Sequence, residues 1–437
     1  MVKQSKMKSN FRNNVIILMT GSFFSQIILI IVSPLLTRLF TPDDFGSSSL
    51  FLSISSILLI LTTARYEMAI VQTKKNIDAI SLVLLTILLS FFSFIILNIL
   101  YIIFNETEYI INLNNKLNGL LYFIPLYVFI ANIYRIIINY MNRNRLYKII
   151  SLNQIIQSIF QSSSKVIFGL VDIASNGLIL GTIIGQIIAL LLLIYRFIGT
   201  KIKIVIYIVA IKRIKKNLYL YKDFPKYLLL SDGINVIALQ LPYLMTSFLF
   251  SMKELGFLSL SYSMSSLPLS FLGSSLSRVF RQQASDDYNR TGRCDILFIK
   301  MLKKIIIYLT FPFILIFYSA PIVFKIVFGE QWIQAGEIVQ ILIFMFFFQF
   351  IARILTYMYI LTNHQKENLI LQILLLISTV ISFLIGFIFF KDLYISLTLF
   401  GITYSIFYIY TIYKSYIYSK GNKNYFNNFQ NGEKYHD

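Results

Sequence analysis

The sequence predicts an all-α polytopic membrane protein, and three observations carry that prediction. Its 437 residues are 57% hydrophobic and only 13% charged, with a mean hydropathy of +0.73, well outside the range of soluble domains. The apolar residues run on without the period-two alternation of barrel strands, which favours helices. The basic residues, which bring the formal net charge to +20, fall in short clusters between apolar runs. Charge placed that way sets membrane topology; no folded soluble segment stands between the runs to present it to nucleic acid.

Apolar segments run at about 14–37, 46–68, 78–104, 118–140, 149–172, 177–199, 228–250, 256–279, 303–327, 335–361, 368–390 and 395–418. Each is near or above the ~20 residues that cross a bilayer as a helix, giving about twelve spans. The first follows Lys3, Lys6, Lys8 and Arg12 as in a signal peptide. It is too long for one and lacks a small-x-small cleavage site, so it reads as an uncleaved span. With the N-terminus cytoplasmic and every segment crossing, about 28 of the 39 Lys and Arg lie in inside segments and about 5 outside. That bias places both termini in the cytoplasm. Cys294 is the only cysteine, and His364 and His436 are the only histidines. No disulfide framework or metal-ligand spacing can be built from these.

The longest connection, 200–227, is basic and amphipathic. It reads either as a helix lying on the anionic inner leaflet or as a solvated linker. It divides the chain into a six-helix lobe at 1–199 and a second at 228–418, with a cytoplasmic tail at 419–437. The lobes carry a trace of repetition. GSSSLFLSISSILL at 46–59 aligns without gaps at an offset of 210 with GFLSLSYSMSSLPL at 256–269. Gly46/Gly256, Ser49/Ser259, Leu50/Leu260, Ser53/Ser263 and Ser55/Ser265 are among the identities. An even number of spans per lobe makes this a parallel repeat, an arrangement typical of transporters.

Polar residues inside the spans mark the candidate site. In 151–172, Gln154, Gln157, Ser158, Gln161 and Lys165 follow an i, i+3, i+4, i+7, i+11 rhythm on one helical face. Asp172 continues that face near the outer end. A lysine facing lipid costs at least ~2.5 kcal/mol, so the stripe faces protein or water. Two readings stay open: a cavity wall, or glutamines hydrogen-bonded to neighbouring helices with Lys165 snorkelling or paired to Asp172. Arg65, Arg135, Arg278 and Arg353 fall in the inner third of their spans. They could form a guanidinium ring for an anion or act as topology anchors. Glu67 lies two residues from Arg65, which on a helix puts the two off a common face. The first span carries Ser22, Ser25 and Gln26 and the seventh carries Asp232 and Asn235. At the same offset of 210, Ser22 meets Asp232 and Ser25 meets Asn235, as facing walls of one cavity or ordinary helix-packing serines would.

Four stretches resemble a known family. SPLLTRLFTPDDFG at 33–46, ARYEMAIV at 64–71, KDFPKYLLLSDGINVIALQLPYLM at 222–245 and VFGEQWIQAGEIVQIL at 327–342 are similar to the polysaccharide-biosynthesis/O-antigen flippases. These share the fold of the multidrug/oligosaccharidyl-lipid/polysaccharide exporters. The resemblance implies two six-helix lobes around a central cavity in the bacterial cytoplasmic membrane. It also implies export of undecaprenyl-pyrophosphate-linked oligosaccharide from the inner to the outer leaflet, with a polysaccharide polymerase and a chain-length regulator as candidate partners besides membrane lipids.

Such a headgroup needs cations for its phosphates and amides for its hydroxyls. Arg65, Arg135, Arg278, Arg353 and Lys165 are the candidate cations; Gln154, Gln157, Gln161, Asn235 and Gln26 are the candidate amides. No G-x-x-x-x-G-K-[ST] loop is present and no cofactor is implied. Energy would come from H+ or Na+ coupling, with Asp232, Glu67 and Asp172 as candidate carriers, or from removal of product. A multidrug or cation exporter of the same fold is the alternative, although its cavity would favour anionic residues. A polymerase or ligase is disfavoured because the longest outer loop, about 105–117, holds neither Arg nor His.

Overall fold

The computed structural model describes residues 2–171, 174–198 and 212–421. Asp172, residues 200–211 of the basic linker and the tail beyond Gly421 lie outside them. Helix contacts group the chain into compact units at 1–256 and 257–437.

The first unit holds α1 (Val2–Leu39), α2 (Pro42–Leu61), α3 (Tyr66–Gln72), α4 (Asn76–Phe104), α5 (Glu108–Lys116) and α6 (Phe123–Arg143). It continues with α7 (Tyr147–Leu170), α8 (Ala174–Ile198), α9 (Ile214–Leu220) and α10 (Leu229–Leu249). Helix α11 (Met252–Thr291) begins here and runs into the second unit. That unit adds α12 (Asp295–Phe328), α13 (Ile333–Leu355), α14 (Tyr357–Leu361), α15 (Gln365–Ile385) and α16 (Leu393–Ser419). No strand occurs among the described residues, and ten helical stretches there are long and apolar enough to cross a membrane. The protein is therefore an all-α, multi-pass membrane protein. Helices α7 and α11 fall outside those ten; α7 carries the polar stripe.

Local sequence sets the helix ends. Thr41 caps α2 by accepting from the Asp44 N–H, Asp44 reaches back to the Thr41 N–H at 2.8 Å, and Pro42 occupies the first turn. The same box recurs 210 residues on, where Glu254 accepts from the Ser251 N–H at 2.8 Å and the Glu254 N–H donates to Ser251 Oγ at 3.2 Å. The glycines of the aligned stretches complete the correspondence. A Cβ on Gly46 would collide with the Met252 carbonyl oxygen, and one on Gly256 with the Pro42 carbonyl oxygen. Residues 42 and 252, like 46 and 256, are 210 apart, so the two contacts are images of each other. Only glycine permits so close a backbone approach.

In the second unit, Phe280, Phe298, Phe350, Ile354 and Met358 pack around the buried Cys294. Gly336 of α13 lies 2.6 Å, measured from an added Cβ, from Pro321 Cα of α12. Trp332 is fully buried edge-on to Phe257 at 5.9 Å. Asp392 caps α16 by accepting from the Tyr394 and Ile395 N–H groups at 2.6 and 3.3 Å.

Candidate functional site: a chain of alternating charges and a glycine-packed stripe

The span expected at 46–68 does not run through. Helix α2 stops at Leu61, and Ala64 and Arg65 adopt left-handed backbone conformations with φ of 48° and 61°. Such conformations are strained for residues other than glycine and need surroundings that hold them. Here Asn132 of α6 donates to Thr62 Oγ1 at 2.6 Å, and Ser93 of α4 donates to the Thr62 carbonyl at 3.2 Å. Backbone freed at membrane depth is thus satisfied by neighbouring helices, as a broken span requires.

The break redirects Arg65. On a continuous helix Arg65 and Glu67 would lie off a common face, but here they pair, with Arg65 Nη1 3.2 Å from Glu67 Oε1. The left-handed turn at Ala64 and Arg65 removes the helical geometry that would hold them apart. Arg65 Nη2 lies 2.8 Å from Asp232 Oδ2 of α10, and Arg135 Nη2 of α6 lies 3.8 Å from the same Glu67 oxygen. Four residues from three parts of the first unit thus form the sequence Arg135, Glu67, Arg65, Asp232, with signs alternating. The inner two side chains are 1% and 8% exposed, and the end members 33% and 29%. Glu67 Oε2 and Arg65 Nε are buried without hydrogen-bond partners.

Burial divides the chain into functional parts. The Arg65–Glu67 pair is desolvated, so removing either member would strand a charge in a low-dielectric interior. The end groups still meet the surroundings and can exchange partners. An arriving anion can be taken up by Arg135 and can compete with Asp232 for Arg65.

The stripe on α7 is built differently. Gln157 Nε2 donates to Gln186 Oε1 of α8 at 2.6 Å, and Gln161 Nε2 donates to Thr182 Oγ1 at 3.3 Å. Gln154 Oε1 accepts from Ser22 of α1 at 3.2 Å. Asn153, one position off the stripe and fully buried, donates to the Ala189 carbonyl at 2.9 Å. Glycines on α8 allow this closeness. A Cβ at Gly185 would fall 2.6 Å from Gln161 Cβ, and one at Gly181 would fall 2.6 Å from Lys165 Cγ. The Gly177-x-x-x-Gly181-x-x-x-Gly185 spacing is the small-residue pattern of tight membrane helix packing. It was open to reading in the sequence and was missed. Lys165 lays its carbon stem against Gly181 and has no ion-pair partner among the described residues; Asp172, its proposed partner, lies outside them.

The other candidates are placed separately. Arg278 is exposed and donates within its own helix to the Ser274 carbonyl at 3.2 Å, and Arg353 is exposed on α13, where an added Cβ on Gly273 would lie 3.7 Å from its Cδ. Both belong to the second unit, whereas the four charges belong to the first. Gln26 is half-buried and Asn235 exposed. Sequence reading also passed over Asn132 and Thr62, which hold the break; a Thr-Thr pair at a span end was the available signal.

The chain is thus a multi-pass helical membrane protein with a broken second span and an internal chain of charges. Comparison with known proteins narrows this. The family described as "Polysaccharide biosynthesis protein" matches residues 35–337, and the chain belongs to it. Among solved structures the chain is similar to a lipid II flippase MurJ in an inward closed conformation, with a TM-score of 0.69 and 16% identity over 92% of this chain and 90% of that one. It is also similar to an inward-facing multidrug resistance MATE family transporter of the MOP superfamily, with a TM-score of 0.64 and 11% identity over 95% and 96%. A MOP superfamily transporter from Pyrococcus furiosus, described as having a binding pocket of reverse polarity, matches with a TM-score of 0.51 and 13% identity over 92% and 93%. No curated protein matches the chain.

Proposed function

We propose that this protein is a flippase for lipid-linked oligosaccharide. In this reading it carries undecaprenyl-pyrophosphate-linked repeat units from the inner to the outer leaflet of a bacterial cytoplasmic membrane by alternating access. The product would serve assembly of O-antigen, capsule or another surface polysaccharide, with a polymerase and a chain-length regulator acting next. The observation that carries the reading is the alternating charge chain, taken with the family to which the protein belongs.

Moving a diphosphate and its sugars through hydrocarbon without new partners would cost many kcal/mol. Arg135 offers a half-exposed guanidinium, and Arg65 offers a second once Asp232 lets go. Guanidinium forks suit phosphate oxygens better than carboxylates placed singly. On this account the diphosphate takes the place of Asp232, and α10, which carries Asp232, is released as the headgroup binds. Asp232 is then free to accept a proton or a cation, which couples loading to an ion. Lys165, unpaired among the described residues, is the next cation available to the headgroup, and the amides of the stripe are candidate sugar contacts.

Complementation of a flippase-deficient strain with defined lipid-linked glycans tests the proposal. Restored surface glycan with the wild type, and its loss with Arg135→Gln at equal membrane abundance, is the expected result. Export of a cationic drug without any glycan display would favour the exporter reading instead.

A further inference from the structure

The segment that follows the undescribed part of the linker is fastened to the protein along one face and leaves a second face charged. Arg213 Nη1 pairs with Asp78 Oδ1 at the start of α4 at 2.9 Å. One turn on, Asn217 is fully buried and donates to the Asp78 carbonyl at 3.4 Å. Positions 213 and 217 share a face of α9. On another face, at i, i+3, i+4 and i+7, stand Lys212, Lys215, Lys216 and Tyr219, all exposed. Lys222 extends that stripe with its ammonium 4.4 Å from the Tyr219 ring centre, and Lys226 sits 4.9 Å from that of Tyr227. Asp223 is the only acidic residue from 212 to 228.

Exposed apolar side chains are mixed with these lysines. Tyr219, Leu220, Tyr227 and Leu230 are 73%, 60%, 60% and 65% exposed. A surface built for a water-borne polyanion has no use for them. An interface between headgroups and acyl chains accommodates both, with lysines at the phosphates and Leu and Tyr below. The anchored face also leads inward: the Tyr66 hydroxyl donates to the Leu218 carbonyl at 3.1 Å, and Tyr66 stands between Arg65 and Glu67 in sequence.

We propose that residues 212–227 dock on the anionic phospholipid headgroups of the bilayer and that the docked segment, through the Tyr66–Leu218 bond, steadies the turn that carries Arg65. The bilayer is the occupant, not the transported lipid, so the proposal stands or falls separately from the flippase reading. Each lysine near an anionic surface strengthens binding roughly fivefold.

The test uses the full chain in phosphatidylcholine nanodiscs with and without phosphatidylglycerol, followed by hydrogen exchange. Phosphatidylglycerol should slow exchange across 212–227 and across 62–73, and high salt should erase both effects. The triple variant Lys212→Gln, Lys215→Gln, Lys216→Gln should lose both. Tyr66→Phe should keep the first and lose the second. Equal exchange in the two lipids, or a triple variant that responds like the wild type, would overturn the proposal. Inorganic pyrophosphate reproducing the slowing in phosphatidylcholine alone would also overturn it, since the site would then be an aqueous anion site.

Discussion

The α2–α3 break and the α7–α8 pair hold most of the polar side chains that the sequence singles out in the first unit, and they use them in opposite ways. At the break, backbone irregularity turns charged groups toward one another, leaving a buried pair with exchangeable ends. On α7, a regular helix meets glycines, and the amides are spent largely on neighbouring helices. A polar stripe with regular spacing is thus better evidence of helix contact than of a cavity, whereas a break in a span is where charges gather.

Substitutions can break or sharpen that contrast. The largest effect is expected from Arg65→Gln, which strands Glu67 in the interior. We expect a loss of about 3–5 kcal/mol of stability together with all transport, read by thermal unfolding in detergent and by glycan display. Arg135→Gln, at the half-exposed end, should leave stability nearly intact and remove transport.

Next comes Lys165→Ala, expected to abolish surface glycan without loss of protein from the membrane, while Lys165→Arg retains it. Normal display by Lys165→Ala would assign the whole stripe to packing. Gly185→Leu should cost about 1–3 kcal/mol by overpacking against Gln161, seen as a lower unfolding temperature. Gln157→Ala should cost only about 0.6 kcal/mol, the average for one interhelical hydrogen bond in a membrane.

The smallest effect concerns Cys294. Burial, reinforced by Asp287 and Asp295, pushes its thiol up to about 12, so it stays un-ionised at neutral pH and resists alkylation. Wild-type protein should take up no maleimide before unfolding. Gln157→Cys can then be labelled in the native background, and its failure to react would place position 157 in the packed α7–α8 contact, where the native Gln157 reaches Gln186.

The helices were legible because bilayer thickness and hydrophobicity dictate them. Ten helical stretches among the described residues are long and apolar enough to span, whereas the segment expected at 46–68 is broken and α7 and α11 fall outside the ten. The repeat was legible too, since Gly46/Gly256 and the paired capping boxes leave residues at a fixed offset. The pairing of Arg65 with Glu67 was not. It depends on two left-handed residues whose identities, Ala64 and Arg65, carry no turn signal; the bonds at the break reach Thr62 from Asn132 and Ser93, far away in sequence. Asp232 could be noticed as an intramembrane acid, but its partner lies 167 positions away, beyond any local spacing rule.

The central claim is that the diphosphate replaces Asp232 on Arg65, and binding measures it most directly. Undecaprenyl-pyrophosphate-linked glycan would be titrated against wild type, Asp232→Asn and Arg135→Gln in detergent. The account predicts that Asp232→Asn, with Arg65 already released, binds about tenfold more tightly, and that Arg135→Gln binds about tenfold more weakly, as expected for one charge-assisted hydrogen bond each. Unchanged or weaker binding by Asp232→Asn, with Arg135→Gln equal to wild type, would contradict it.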